Sequence, residues 1–290
     1  MTAPLIVIIG ETASGKSALA LQLSQHLGGE ILCADAWTVY KDFDVGTAKP
    51  TAAERALITH HLLDIADPAQ GFSAAIFKRL AVEQITDTAS RGRLPILVGG
   101  TGLYIDSVLY DYEFLPPPSD VLRRELNTLD LEALLARASG LGLDTSVVDQ
   151  RNKRRIIRLI ENNGRIPGRK DMRPNTLILG LRPNRELLVQ RISMRVDAML
   201  KAGLQQEVAR LAERYGWDAE PMKGIGYREF RLNEAEHPNI EQVRQAIIRN
   251  TIALAKKQRT WFKRNKSIHW LTTDDKVAEA VDIATTFLNK

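Results

Sequence analysis

An open, parallel α/β sheet flanked by helices, with a helical insertion, is the fold class that this sequence predicts. Three observations predict it. Leu5-Ile6-Val7-Ile8-Ile9 is an unbroken apolar run rich in β-branched residues, which suits a strand buried on both faces. It leads into Gly10-Glu11-Thr12-Ala13-Ser14-Gly15-Lys16-Ser17, a glycine, four residues and then Gly-Lys-Ser, followed by the helical pattern Ala18–Leu23. Strand-like runs recur at Glu30–Ala34, Ile96–Val98, Thr176–Leu181 and Ile268–Leu271, with helical segments between them.

The whole chain sets bounds. Its 290 residues suffice for one large α/β domain, or for a core with a smaller domain. A net charge of +5 is a weak pointer to nucleic acid; where the charge sits matters more. Cys33 is the only cysteine, which excludes a disulfide framework and a cysteine-built zinc site and leaves small buried filler as its reading. The leading apolar run is too short for a membrane span or a signal segment and lacks a basic flank. The expectation is a cytoplasmic monomer with no membrane association.

The glycine-rich stretch is a P-loop in its proper strand–loop–helix context. Its N–H groups and the helix N-terminus face an oxyanion. Lys16 adds a point charge on a phosphate, and the Ser17 hydroxyl reaches a Mg²⁺ that bridges phosphate oxygens. The expected ligand is a di- or triphosphate. The second strand ends at Asp35, where an open parallel sheet places its ligands. There a carboxylate can hold Mg²⁺ through water, act as a general base, or cap the next turn. Trp37 and Tyr40 follow, to stack on a base or to pack. Lys49, between a turn and Pro50, suits a phosphate contact or a plain surface loop. His60 and His61 face opposite sides of a strand, so a shared metal is not expected. Phe72–Arg91 reads as an amphipathic helix begun by Ser73.

Ile96-Leu97-Val98 runs into Gly99-Gly100-Thr101-Gly102. Glycines at a strand end permit close backbone approach to a ligand. A conventional motor or switch NTPase would place an aspartate here, and none is present. Pro116-Pro117-Pro118 breaks the chain, and residues 119–163 read as helices carrying the basic run Arg151, Lys153, Arg154, Arg155 and Arg158. Such a run is a solvated helix face or a contact for nucleic-acid phosphates. After Thr176–Leu181 a helix continues through Arg195 to a break at Gly203. The last third is mostly helical. No acid falls between Glu241 and Asp274, a window holding Lys256, Lys257, Arg259, Trp261 and Phe262. Basic groups interleaved with aromatics suit RNA; a basic helix docked on the core through Ile252, Leu254 and Trp261 explains the same pattern, and both can hold at once.

Along nearly its whole length the chain resembles the bacterial tRNA dimethylallyltransferases (tRNA isopentenyltransferases). The matching stretches are Thr12–Ser17, Ala34-Asp35, Val39-Tyr40, Asp44–Pro50, His60–Leu62, Val98–Tyr104, Arg154–Arg158, Ile225–Glu229 and Ala255–Gln258 with Trp261-Phe262. The resemblance implies a P-loop NTPase-like fold. It also implies transfer of a dimethylallyl group from dimethylallyl diphosphate to N6 of the adenosine 3′ to the anticodon, with Mg²⁺ as cofactor. It further implies that Gly10, Thr12, Ala13, Ser14, Gly15, Lys16 and Ser17 bind the diphosphate, and that Asp35 takes a proton from N6. Thr101 would contact the substrate near the reacting centre. Arg195, placed like the lid arginine of related phosphate-transfer folds, would steady the leaving group. The tRNA anticodon stem-loop would be held by Asp35, Ala36, Trp37, Thr38, Arg123, Arg154, Arg155, Arg158, Tyr227, Arg228, Lys256, Lys257, Gln258 and Trp261.

Two departures from the family pattern stand out. Ala36 and Thr38 replace a serine and a glutamine, removing a hydroxyl beside Asp35 and an amide suited to an adenine edge. Glu11 replaces a proline and brings an acid to the phosphate loop. Competing readings are a prenyltransferase acting on free adenine nucleotides, a small-molecule P-loop kinase, and an RNA-binding NTPase switch. The expected organisation is a catalytic core over 1–195 with a helical segment at 119–173, a tRNA-binding insertion over 196–262, and a return to the core over 263–290.

Overall fold

In the computed structural model, which describes residues 2–116, 119–231 and 239–289, six parallel strands form one sheet. The chain runs β1 (Leu5–Gly10), α1 (Lys16–Leu27), β2 (Gly29–Ala34), α2 (Ala52–Leu57), β3 (His60–His61), α3 (Ala74–Ser90), β4 (Leu94–Gly99) and α4 (Gly102–Leu109). It continues through α5 (Asp120–Thr128), α6 (Leu131–Gly140), α7 (Lys153–Glu161), β5 (Thr176–Leu181), α8 (Arg185–Lys201), α9 (Leu204–Tyr215), α10 (Arg228–Arg231), α11 (Ile240–Phe262), β6 (Ile268–Trp270) and α12 (Lys276–Leu288). The strand order is β3-β2-β4-β1-β5-β6. β1 pairs with β4 through Ile6–Ile96 to Ile9–Gly99 and with β5 through Leu5–Thr176 to Gly10–Leu181.

Central position explains the composition of β1. Leu5, Ile6, Val7 and Ile8 are wholly buried, each worth about 1.5–3 kcal/mol of transfer free energy. Ile6, Ile8, Ile31, Ile96 and Leu179 pack with Leu19 and Leu23 of α1 and Ala280 and Ala284 of α12 on one side of the sheet. Local signals set several boundaries. Ser73 accepts from the Ile76 N–H and caps α3. Gly203, at φ 96°, separates α8 from α9.

The division of the chain differs from expectation. Residues 110–172 form one compact unit, and residues 1–109 with 173–290 form the other. The smaller unit has its own core, in which Leu126 of α5, Leu134 and Ala138 of α6 and Ile156, Ile157 and Ile160 of α7 come together. Of the proline run before it, Pro117 and Pro118 lie outside the described residues. The 196–262 stretch belongs with the sheet because α11 is tied to it: the Gln258 and Arg259 side chains bond to residues 11, 12 and 100.

Candidate functional site

The P-loop turns through left-handed conformations at Ala13 (φ 65°) and Gly15 (φ 97°) before α1 begins at Lys16. The Lys16 ammonium donates to the Glu11 carbonyl at 2.9 Å. Burial and the neighbouring Arg195 guanidinium pull the Lys16 pKa down to about 8. Burial also lowers that of Arg195, with the Asp35 charge working the other way. Lys16, Arg195 and Asp35 thus share a cleft that Thr12, Ser17, Thr38, Lys49 and Glu54 also line. An anion seated there relieves both cations.

A second cleft meets the first at Thr12, Asp35, Thr47 and Arg195. Its far walls are Trp37, Ile192, Val196 and Met199, with Ile247 and Leu254 of α11. Asp35, following β2, lines both clefts. One carboxylate oxygen accepts from the Trp37 N–H at 2.9 Å, so the turn-capping role is real and holds the side chain in place. The Ala36 N–H donates to Thr101 Oγ1 at 3.0 Å. Thr101 therefore fixes the Asp35 turn; it is not among the residues lining either cleft. The Thr38 hydroxyl is buried with no hydrogen-bond partner.

The loop 44–50 holds Arg195, whose Nη2 donates to the Thr47 carbonyl at 3.2 Å. The loop is itself held by Glu207, absent from the sequence-based site. Its two carboxylate oxygens accept from the N–H groups of Asp44, Val45 and Gly46 and from the Tyr227 hydroxyl, at 2.8–3.1 Å. Lys49 is buried between Asp44, Asp64 and the Tyr40 carbonyl, which accounts for it without a phosphate.

The glycines after β4 make room for protein. A Cβ on Gly100 would lie 2.4 Å from Gln258 Nε2, and one on Gly102 would lie 2.4 Å from the Trp261 ring. Gln258 accepts from the Thr12 N–H at 2.8 Å and donates to the Gly100 carbonyl at 3.0 Å. Trp261 donates to Asp106 at 2.8 Å and has Arg264 stacked 4.6 Å from its ring centre.

Several expected RNA contacts therefore serve the fold. Gln258 and Tyr227 are buried, and Trp261 is packed. Arg228 pairs with Glu229, while Arg123 and Arg158 both hold Glu161 within the smaller unit. Arg154 and Arg155 on α7, and Lys256 and Lys257 on α11, are exposed. Three or more His, Cys, Asp or Glu side chains grouped to hold a metal do not occur among the described residues. Among the oxygen donors lining the first cleft, the Ser17 hydroxyl and the Asp35 carboxylate suit a Mg²⁺ that would take its remaining ligands from water and phosphate.

The model of the IPP transferase family matches residues 38–265. The chain belongs to that family. Relatives agree with this membership. A tRNA dimethylallyltransferase of Desulforudis audaxviator is 41% identical over 290 aligned positions, covering 94% of this chain and 93% of the relative. One of Geobacillus thermodenitrificans is 36% identical, covering 99% and 96%. The crystal structure of a tRNA isopentenylpyrophosphate transferase from Bacillus halodurans superposes with a TM-score of 0.77 at 33% identity, over 99% of this chain and 97% of that one. A eukaryotic dimethylallyltransferase acting on tRNA gives 0.81 at 25% identity, over 99% and 80%. Within the IPP transferase family frame, the six-stranded parallel sheet is a P-loop NTPase-like core. No helix among the described residues is long and apolar enough to cross a membrane.

Proposed function

We propose that this chain transfers the dimethylallyl group of dimethylallyl diphosphate to N6 of the adenosine 3′ to the anticodon of tRNA. The observation that carries the reading is the meeting of two clefts at Asp35 and Arg195, one reaching from the P-loop and one walled by apolar residues and Trp37. The named activities of the family relatives point the same way.

The first cleft takes the donor. As the allylic C1–O bond breaks, negative charge grows on the diphosphate and positive charge spreads over the allyl group. The loop N–H groups, Lys16 and Arg195 stabilise the leaving group, which departs as diphosphate. Ser17 and Asp35 would hold a Mg²⁺, which would supply further charge neutralisation there. The second cleft takes the adenine, flipped from the anticodon-loop stack, with Trp37 as a wall for its face. N6 attacks C1 as Asp35 accepts the displaced N6 proton. Thr101 keeps Asp35 aimed by holding the next amide. Arg154 and Arg155 in the smaller unit, and Lys256 and Lys257 on α11 in the larger, are each exposed to meet tRNA phosphates. The protein works in the cytoplasm, as a monomer.

The test is prenyl transfer from labelled dimethylallyl diphosphate with Mg²⁺, offering unmodified tRNA, AMP or ATP as acceptor, for the wild type and Asp35→Ala. Label on tRNA that disappears in the variant is the expected result. Label on free nucleotide alone would make the chain a nucleotide prenyltransferase. Phosphate transfer from ATP without prenyl transfer would make it a kinase.

A further inference from the structure

Glu11 is an acid set in a phosphate-binding loop, and a buried one: only 2% of its surface is exposed. A carboxylate there opposes the loop's purpose, since it adds negative charge where an anion must sit. The structure shows how that charge is contained. Arg259 of α11 takes both carboxylate oxygens, one from Nε and the other from Nη2 at 3.0 Å. Arg259 Nη2 also reaches the Pro183 carbonyl at 3.5 Å, past the end of β5. The pair lines a small separate cavity with Arg182, Lys263 and Trp270, and neither residue is among those lining the cleft that holds Lys16 and Ser17. Meanwhile the Glu11 main-chain carbonyl is the acceptor for Lys16 Nζ, and the adjacent Gln258 pins the Thr12 N–H. Consecutive side chains of α11 thus grip consecutive residues at the start of the P-loop.

We propose that Arg259 is a positioning residue for the diphosphate: by holding both oxygens of Glu11 it keeps that charge out of the anion seat and fixes the carbonyl on which Lys16 rests. The inference rests on the reading of the P-loop as the diphosphate site. It also accounts for the acid. Glu11 and Arg259 act as one unit, each tolerable because of the other, and the loop gains a fixed strut to α11. Removing the arginine alone leaves a buried, unpaired carboxylate next to the anion; removing both leaves a neutral loop.

Donor KM, kcat at saturating tRNA, inhibition by inorganic diphosphate and the unliganded melting temperature would be measured for five proteins. These are the wild type, Arg259→Gln, Glu11→Gln, the double variant, and Lys16→Ala as the control on the site. Arg259→Gln should raise donor KM and the inhibition constant of inorganic diphosphate about tenfold or more, from the unpaired buried charge, with kcat within about twofold. The double variant should recover both to within about threefold of wild type, because the repulsion leaves with Glu11. Should Arg259→Gln not fold, Arg259→Lys keeps the charge while losing the fork, and a smaller rise in the same two constants is expected. A melting temperature that falls while donor KM and diphosphate inhibition stay at wild-type values, in either arginine variant, would overturn the proposal and leave the pair as scaffold. So would a double variant no better than Arg259→Gln. If Lys16→Ala also leaves diphosphate inhibition untouched, the reading of the P-loop fails; if Lys16→Ala destroys it and Arg259→Gln does not, only the positioning role fails.

Discussion

Gly46 presents its Cα to the ring of Tyr227: a Cβ at that position would lie 2.4 Å from Cζ and 2.6 Å from the phenol oxygen. The contact docks two distant stretches of chain, 44–50 and 224–229, on each other. The same phenol donates to Glu207 at 2.8 Å, and Thr47, one residue on, holds Arg195. The ring is wholly enclosed, with Phe43 packed 5.0 Å away edge to face. Gly46→Ala must therefore push either the ring or the loop. The expected cost is about 1–3 kcal/mol by overpacking, read from the urea midpoint, with kcat/KM falling as the Arg195 contact shifts. Gly71→Ala, where no atom lies within 4 Å of the added carbon, is the control and should stay within about 0.5 kcal/mol of wild type. Equal effects from the two alanines would refute the account.

Glu207 concentrates four donors on one buried carboxylate, three of them backbone N–H groups. Glu207→Gln replaces one acceptor oxygen by an NH₂ that faces donors. About 2–3 kcal/mol of stability should be lost, since buried N–H groups are left unsatisfied. Tyr227→Phe removes a single donor and should cost about 1 kcal/mol from that bond. Denaturant titration of both variants checks the order; a Tyr227→Phe variant less stable than Glu207→Gln would show that the phenol hydroxyl, not the carboxylate, carries the loop.

What could be read in the sequence was what is contiguous. The P-loop is eight consecutive residues, and Asp35 follows directly on an apolar strand, so both stood out. Glu207 did not, although a signal existed: it occupies a position in the apolar stripe of α9 shared by Leu204, Val208 and Leu211. Read alone, an acid on a helix is a solvated group; its three backbone partners lie more than 160 positions away. Lys49 carried two local readings, and its burial against Asp44 and Asp64 supplied a third. The unit boundary is hidden in the sequence for the same reason. Residues 119–163 and 196–262 are both helical and basic in pattern, and only the long-range bonds of Gln258 and Arg259 show which stretch joins the sheet. Aromatic and basic residues near the end of α11 read as RNA contacts, but Trp261 fills the space over Gly102.

At the far end of the sheet, Glu30 of β2 is held by a bidentate fork from Arg91, at 2.6 and 2.7 Å, and by His61 of β3 at 2.7 Å. Those bonds, Arg91 first, pull its pKa down to about 2 from 4.5. A carboxyl whose folded pKa lies below its unfolded value stabilises the protein fully above the unfolded pKa, and that contribution is lost as pH falls from 4.5 toward 2. Because β3 pairs with β2 over only two residues, the edge strand depends on this cluster. Arg91→Ala should move the acid-unfolding midpoint, followed by circular dichroism, to higher pH. A midpoint that does not move would mean that the cluster adds nothing to acid resistance.

Lys16 gives the opposite sign. Its folded pKa of about 8 lies below the ordinary 10.5, because burial and Arg195 disfavour the ammonium. This group therefore opposes folding below pH 8, and the penalty is relieved as pH rises from 8 to 10.5. A bound diphosphate reverses the electrostatics, since an anion beside the ammonium raises its pKa. Binding above pH 8 must then take up a proton. Affinity for inorganic diphosphate should weaken by up to about tenfold per pH unit once Lys16 has lost that proton. Calorimetry in buffers of different ionisation enthalpy should show almost no proton uptake at about pH 7, and uptake approaching one proton at about pH 9. Lys16→Ala should bind weakly at both and lose the difference between them. Uptake that is the same at both values in the wild type would mean that the ammonium on the P-loop is not the group that meets the diphosphate.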